Sequence, residues 1–360
     1  MMSFRPRASH RFKIPRESIG SRAAVALAVL VTLIGTAQAP ERSRSSADFA
    51  AEVARLSEPQ GSFDTDNLIS NEASYLEVVP ELVAKGVSGG VYIGVGPDQN
   101  FSYIARIRPT LAYIVDIRRD NLLLHLLFKA LFARSTTRVE YLSLLTGRGP
   151  PSDGQRWRRS TIRQIAAYVD AQKVVTNSST DSLRRQLRKA LTGFGVPLSA
   201  ADLDTVDRFH GAFIDEGLDL RFHSFGRPPR PHYPTFRDLL LAVDSTGRTW
   251  NYLASEDDFQ FLKSLQARDA VIPVVGNVGG THSMRAISEA IAARGERVTA
   301  FYVSNVETYL NRGDDHARFL ENVERLPHDG RSVVIRSIFG GGGASTSVVV
   351  PWFAPPSVPR

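Results

Sequence analysis

The feature that most constrains this chain is a broken apolar run, Val91-Tyr92-Ile93-Gly94-Val95-Gly96-Pro97, followed by a second run, Leu111 to Val115, that ends in Asp116. A helix-length segment separates the two runs, so the local pattern is β–α–β with a Gly-x-Gly turn after the first strand. Gly94 and Asp116 stand 22 residues apart, close to the spacing expected when a glycine turn and an acid share one dinucleotide or nucleoside site. Glycines let the backbone pass under a ligand, the next helix offers free N–H groups, and a carboxylate beyond the second strand accepts ribose hydroxyls. Gln99 occupies the place of a third glycine. The competing reading is a β–α–β in which the glycines only make a tight turn.

The rest of the chain gives this unit room. At 360 residues, with 42% apolar and 22% charged side chains, it is an ordinary folded protein with one large domain and an insertion, or two smaller domains. A net charge of +7 suggests nucleic acid until its distribution is examined. Residues 1–39 carry a net +5, which leaves only +2 for everything downstream. The body is near neutral, and nucleic acid is not an expected partner. Zero cysteines exclude disulfides, thiolate metal sites and cysteine nucleophiles.

Residues 1–39 read as a secretory signal peptide: a basic stretch to Arg22, an uncharged apolar stretch from Ala23 to Ile34, then Ala37-Gln38-Ala39. An uncleaved membrane anchor and a start placed too far upstream are the alternatives. They put the body outside the cytoplasm and inside it, respectively. Membrane contact is expected through this segment alone.

Downstream, residues 40–60 read as a linker and first helix (Ala47–Leu56), followed by a loop at Gly61 to Asn67 and a helix near Tyr75–Lys85. Residues 61–133 form the first half of the main domain, with strands Gly90–Val95 and Leu111–Asp116 around a helix Asn100–Ile107. The stretch from Asn121 to Phe132 is apolar almost all round, so its helix is expected to be buried on more than one side. Residues 134–234 read as an inserted helical region ending in a Pro-rich loop. Its basic half, which includes Arg184 and Arg188, and its acidic half, which includes Asp204 and Asp207, are expected to be solvated or to pair with each other; an anion-binding face around Trp157 is the alternative. Residues 235–355 form the second half, with strands Ala270–Gly276, Val298–Val303 and Ser332–Ser337 and helices Ser283–Ala293 and Ala317–Leu326. Gly340 to Gly343 then lead into Ser345–Trp352, which predicts an antiparallel hairpin. The fold class is α/β: a Rossmann-like, doubly wound, mostly parallel sheet with a C-terminal antiparallel hairpin and an inserted helical subdomain.

This layout resembles the class I S-adenosylmethionine methyltransferase fold. More narrowly, Gly90 to Asn100 with Asp116 to Arg119, Tyr252 to Glu256 with Val274 to Gly280, and Phe301 to Leu310 resemble an uncharacterised bacterial family with that fold. The resemblance covers roughly residues 60–355. It implies S-adenosylmethionine as cofactor, with Gly94, Val95, Gly96 and Asp98 underlying it and Asp116 holding its ribose. The sequence departs from the pattern at Tyr92 and Ile93, where an acid usually opens the motif, and at Asn277, where many methyltransferases carry an acid. Asparagine positions a substrate but is no base.

Ser304-Asn305-Val306-Glu307 follows a strand, at the edge where ligands of open α/β sheets sit. Glu307 is the candidate general base, with Asn305 orienting the nucleophile and Asn277 and Tyr309 on the substrate side. A capping box between Ser304 and Glu307 explains the same spacing without function. Asp64 to Asn67 reads as a turn or lid loop before it reads as a cation site, and His282-Ser283 as a helix start before a nucleophile turn. The histidines have no paired metal spacing, and no metal is expected. Three readings stay open: a methyltransferase-like protein with a nucleoside pocket and a small-molecule ligand, an exported non-catalytic binding protein of the same fold, and an NAD-dependent oxidoreductase. Oligomeric state is not set by these features.

Overall fold

The computed structural model describes residues 45–226, 233–310, 314–340 and 345–352. The signal or anchor expected over residues 1–39 lies outside the described residues, as do most of the Pro-rich loop and most of the glycine link to the last strand.

The protein is α/β. Strands β1 (Val91–Val95), β2 (Leu111–Asp116), β3 (Val271–Val275), β4 (Val298–Ser304), β5 (Val333–Phe339) and β6 (Ser345–Pro351) form one sheet in the order β3-β2-β1-β4-β5-β6. The first five are parallel and β6 is antiparallel to β5, so the predicted hairpin is present. The strands are short Val/Ile-rich runs with little alternation, and β1 and β3 are buried at every residue, as parallel strands covered on both faces must be. Removing each Val or Ile from water contributes roughly 1.5–3 kcal/mol. The strand order reverses between β1 and β4, and the connections there leave in opposite directions. A crevice opens at that point above the carboxyl ends of the strands.

Helices α1 (Ser46–Leu56), α2 (Val79–Ala84) and α3 (Gln99–Ile107) belong to the N-terminal part. Between β2 and β3 come α4 (Arg119–Arg134), α5 (Arg138–Leu145), α6 (Ile162–Ala171), α7 (Asn177–Gly193), α8 (Ala200–Glu216), α9 (Phe236–Leu241) and α10 (Glu256–Ala267). Helices α11 (Ser283–Ala293), α12 (Glu307–Leu310) and α13 (Asp314–Arg325) complete the chain. Two of these, α9 and α10, were not expected from the sequence. α4 is buried from Asn121 through Phe132, the predicted all-round burial, and packs on β2 and β3 on one side and on α5, α7, α8 and α10 on the others. Its one buried lysine, Lys129, is neutralised by Asp269 at 2.6 Å and sits over the rings of Phe49 and Phe194. The opposite charges of the helical region do pair: Arg188 meets Asp204 and Asp207 at 2.7 and 2.5 Å across α7 and α8. Among the described residues no helix is long and apolar enough to cross a membrane.

Candidate functional site

The glycine turn after β1 is held by the first turn of α3. Asn100 donates from its amide nitrogen to the carbonyls of Val95 (2.9 Å) and Pro97 (2.8 Å) and accepts from the Tyr92 hydroxyl at 2.8 Å. A Cβ on Gly94 would overlap Asn100 Oδ1 and lie 2.7 Å from Tyr92 Oη. Gly94 is therefore required by this clamp inside the protein, and it is not part of the cavity wall. Gly96 differs: at φ +83° it adopts a left-handed conformation, and it lines the cavity. From below, His125 in α4 contacts the Gly96 carbonyl through Nε2 at 2.9 Å, and burial pushes its imidazole down to about 4. The neutral ring thus donates to that carbonyl and fixes the turn from the core side.

A single cavity gathers the carboxyl ends of β1 to β4. Val95 and Gly96 come from β1, Asp116 from β2, Gly276 and Asn277 from β3, and Ser304, Asn305 and Val306 from β4. Asp64, Thr65 and Asn67 form one side wall with Phe222 and Ser224. The two segments pair by an antiparallel bridge at Thr65 and Ser224 and by Phe225 N–H donating to the Asp64 carbonyl at 2.7 Å. Phe63 and Tyr309 meet edge to face over the mouth at 4.9 Å, both partly exposed. The loop at 61–67 is thus a wall of the cavity. No group of three or more acids and histidines with metal-holding geometry occurs among the described residues.

Asp116 faces the cavity with both oxygens engaged by Arg118: Oδ1 accepts from Arg118 N–H at 2.9 Å, and Oδ2 from Nη2 at 3.0 Å. Arg118 is itself anchored on the carbonyls of Thr65 and Asp66, so the side wall and the carboxylate are set together. Oδ1 also accepts from Arg118 Nε at 3.2 Å, so the acceptor capacity left for a ligand hydroxyl is on Oδ2. Asn277 is placed by Glu58, whose carboxylate accepts from Asn277 N–H at 2.6 Å and from Ser283 N–H, the start of α11, at 3.2 Å. His282-Ser283 is therefore a helix start, as the plainer sequence reading had it.

Glu307 and Asp98 lie away from the cavity. Glu307, the first residue of α12, is buried and forms a two-point ion pair with Arg336 in β5, at 2.6 and 3.1 Å. With the Glu307 carboxylate held by Arg336 and the Ser304 hydroxyl donated to Glu72, the capping box that was the alternative reading of this spacing does not form. Asp98, buried below the turn, accepts from the Tyr252 hydroxyl at 3.1 Å, and burial pushes its carboxyl up to about 7. Of the residues singled out from sequence, Val95, Gly96, Asp116, Asn277, Asn305 and Tyr309 share the cavity, while Gly94, Asp98 and Glu307 stand behind it.

One acid of the cavity was not singled out from the sequence. Glu72, from the irregular segment before α2, is 1% exposed and lines the cavity together with Gly96 and Gln99. Three hydroxyls converge on it: Tyr302 donates to Oε2 at 2.6 Å, Ser337 also to Oε2, and Ser304 to Oε1. Ser304 reaches it because β4 ends in a register shift and Ser304 itself is left-handed at φ +52°. Such a conformation costs a non-glycine residue of order 1–3 kcal/mol, and it sits at the cavity wall. Burial raises the Glu72 carboxyl, against the stabilising hydroxyls. Gln99 Oε1 and Thr65 Oγ1, on two residues that line the cavity, are buried without a hydrogen-bond partner among the described residues. No lysine, arginine or histidine occurs among the described lining residues, whereas Asp64, Glu72 and Asp116 do.

No curated protein matches the chain. A family described as a domain of unknown function (DUF7790) matches residues 68–191 and 233–350, two thirds of the length, and takes in Glu72, Gly96, Gln99, Asp116, Asn277 and Ser304. The chain belongs to that family.

Proposed function

We propose that the cavity of this Rossmann-like domain binds S-adenosylmethionine or a closely related cationic nucleoside and aligns a small molecule for methyl transfer. The observation that carries this reading is the charge of the lining: three carboxylates, and no basic side chain among the described lining residues, at the point where the strand order reverses. A dinucleotide would bring its pyrophosphate against Asp64 and Glu72, and the Arg118 guanidinium behind the wall is already paired with Asp116, so like-charge repulsion disfavours it. That argues against the nicotinamide alternative. A ligand with a sulfonium and an ammonium suits the same wall.

The residues present fit such a cofactor. Asp116 stands where ribose hydroxyls are accepted beyond the second strand, and left-handed Gly96 allows close backbone approach. The acid missing from the start of the glycine motif is supplied from elsewhere in the chain, since Glu72 faces the same space. Gln99 lines the same cavity, and its Oε1 is a buried acceptor with no partner among the described residues. When bound, the cofactor supplies an activated methyl group; the protein's share is to orient the acceptor and exclude water. Glu307 has no part in this reading, because Arg336 occupies both its oxygens.

Calorimetric titration and thermal shift test the proposal. Wild type is expected to bind S-adenosylmethionine, and Asp116→Asn to lose about 10-fold or more in affinity, the worth of a charge-assisted hydrogen bond. Asparagine keeps the shape but sets an amide NH2 against the Arg118 donors and breaks their ion pair, so Tm is expected to fall as well. An affinity loss in a variant that is still fully folded at the titration temperature reports the ribose contact. A Tm raised by NAD and not by S-adenosylmethionine would remove the reading.

A further inference from the structure

We propose that Glu72 accepts the proton of a cationic amine bound in the cavity, and that a row of serine hydroxyls carries this proton to the β5–β6 hairpin. The inference rests on the methyl-transfer reading for the nature of the reaction, but its central feature belongs to the chain itself.

The geometry has three parts. A carboxylate has about four acceptor positions. Tyr302 and Ser337 take those on Oε2 and Ser304 takes one on Oε1, so one position on Oε1 remains, on a residue that lines the cavity. Second, no lysine, arginine or histidine contacts Glu72 in an ion pair among the described residues; its ionisable neighbours are Tyr302 and Tyr92 on β4 and β1 and Tyr103 on α3, all buried and all pushed upward, in part by Glu72. Third, Ser337 is linked to Ser347 at 3.4 Å, Ser347 to Ser74 at 3.2 Å, and Ser74 to Ser345 at 2.9 Å. Ser345 is half-buried at the start of β6, so the row runs from the buried carboxylate toward the surface. Each hydroxyl is at once donor and acceptor. Either oxygen of each serine pair can be the donor, so with Glu72 ionised each O–H can point toward it, and with Glu72 protonated the row can reverse, which is the rearrangement a relay needs.

An acid-lined cavity draws an amine in as its ammonium form, which has no lone pair to attack with. Burial disfavours both members of an ammonium–carboxylate pair and favours the neutral pair. The N–H bond breaks, its electrons stay on nitrogen, and the proton goes to Glu72 Oε1. The nitrogen lone pair then bonds to the methyl carbon as the carbon–sulfur bond releases its electrons to sulfur. A second N–H proton of the methylated amine leaves by the same route or with the product, and the surplus proton departs along the serines.

Two measurements test this. In protein free of cofactor, the infrared difference between wild type and Glu72→Gln should contain a protonated carboxyl band that titrates above the ordinary carboxylate range, with a midpoint moved by Ser347→Ala. With S-adenosylmethionine and a panel of small amines, Glu72→Gln should lose about 100-fold or more in transfer, the usual worth of a general base, while S-adenosylhomocysteine still raises its Tm. Ser347→Ala should be slowed with an increased solvent deuterium effect. A missing or normally titrating carboxyl band overturns the proposal, and so does a Glu72→Gln enzyme with wild-type rate and pH profile. If wild type binds no S-adenosylmethionine, methyl transfer fails instead, and the infrared titration still decides whether Glu72 exchanges its proton. Should Glu72→Gln not fold, the Ser347→Ala arms carry the decision.

Discussion

Single residues show where reading a motif succeeds and where it misassigns the cause. Gly96 and Asp116 are legible from spacing alone, because a β–α–β unit puts them at adjacent strand ends whatever follows. Gly94 carries the same motif and has a different reason to be glycine: the Asn100–Tyr92 clamp fills the place of its side chain. A sequence pattern records that a Cβ is forbidden and is silent on what forbids it. The consequence is measurable. Gly94→Ala should cost about 1–3 kcal/mol in urea unfolding, the range for overpacking a filled core, with a further loss if Asn100 gives up its hydroxyl partner. A variant of wild-type stability would mean that the clamp yields freely. Glu72 was illegible for the opposite reason. It lies in Ser70-Asn71-Glu72-Ala73-Ser74, a stretch with no period, and its partners Tyr302, Ser304 and Ser337 are more than 200 residues away in sequence.

At the scale of elements, periodicity recovered all six strands and most helices, because each strand is a short apolar run bounded by glycine, proline or charge. Helix α10 was missed although its start carries a cap signal: the Ser255 side chain accepts from Asp258 N–H, and three acids fill the first turn. Its apolar positions, Phe259, Leu262 and Leu265, are few and flanked by charge, so the stripe is thin. α11 has its expected bounds, but its N-terminus is capped from outside, by Glu58 just after α1. That carboxylate joins two elements more than 200 residues apart and orients the Asn277 amide on the cavity wall. Glu58→Ala leaves two N–H groups without acceptors and should lower stability by about 1–2 kcal/mol, read from the urea midpoint. Because Asn277 is freed as well, ligand affinity should fall with it. Loss of stability with unchanged affinity would confine Glu58 to a cap.

Across the whole molecule, the family match spans both halves of the sheet and omits residues 192–232 and everything before 68. The cavity floor therefore lies within the family's matched residues, while Phe63, Asp64, Thr65, Phe222 and Ser224 at its wall do not. What ties the two matched segments beneath the turn is polar and buried: Asp98 to Tyr252, across 154 residues of sequence. This makes the stability of the entire fold respond to pH in two opposed ways. Asp98 has its folded value raised from 3.8 to about 7, so its contribution is fully present below 3.8 and is lost as pH rises through 7. His125 has its folded value lowered from 6.5 to about 4, so its contribution is present above 6.5 and is lost as pH falls through 4. Between pH 4 and 7 the two slopes oppose each other. Replacing Asp98 by asparagine keeps an acceptor for Tyr252 and removes one slope. Unfolding of wild type and Asp98→Asn in urea at pH 4.5 and 7.5 should then give the variant an advantage that grows with pH by at least about 1 kcal/mol, the equivalent of one pKa unit. Glu72, also raised by burial, contributes equally to both proteins and cancels in the comparison. A difference that stays constant between the two pH values would show that Asp98 keeps an ordinary carboxylate beneath the turn, and the buried tie would then be an ionised one.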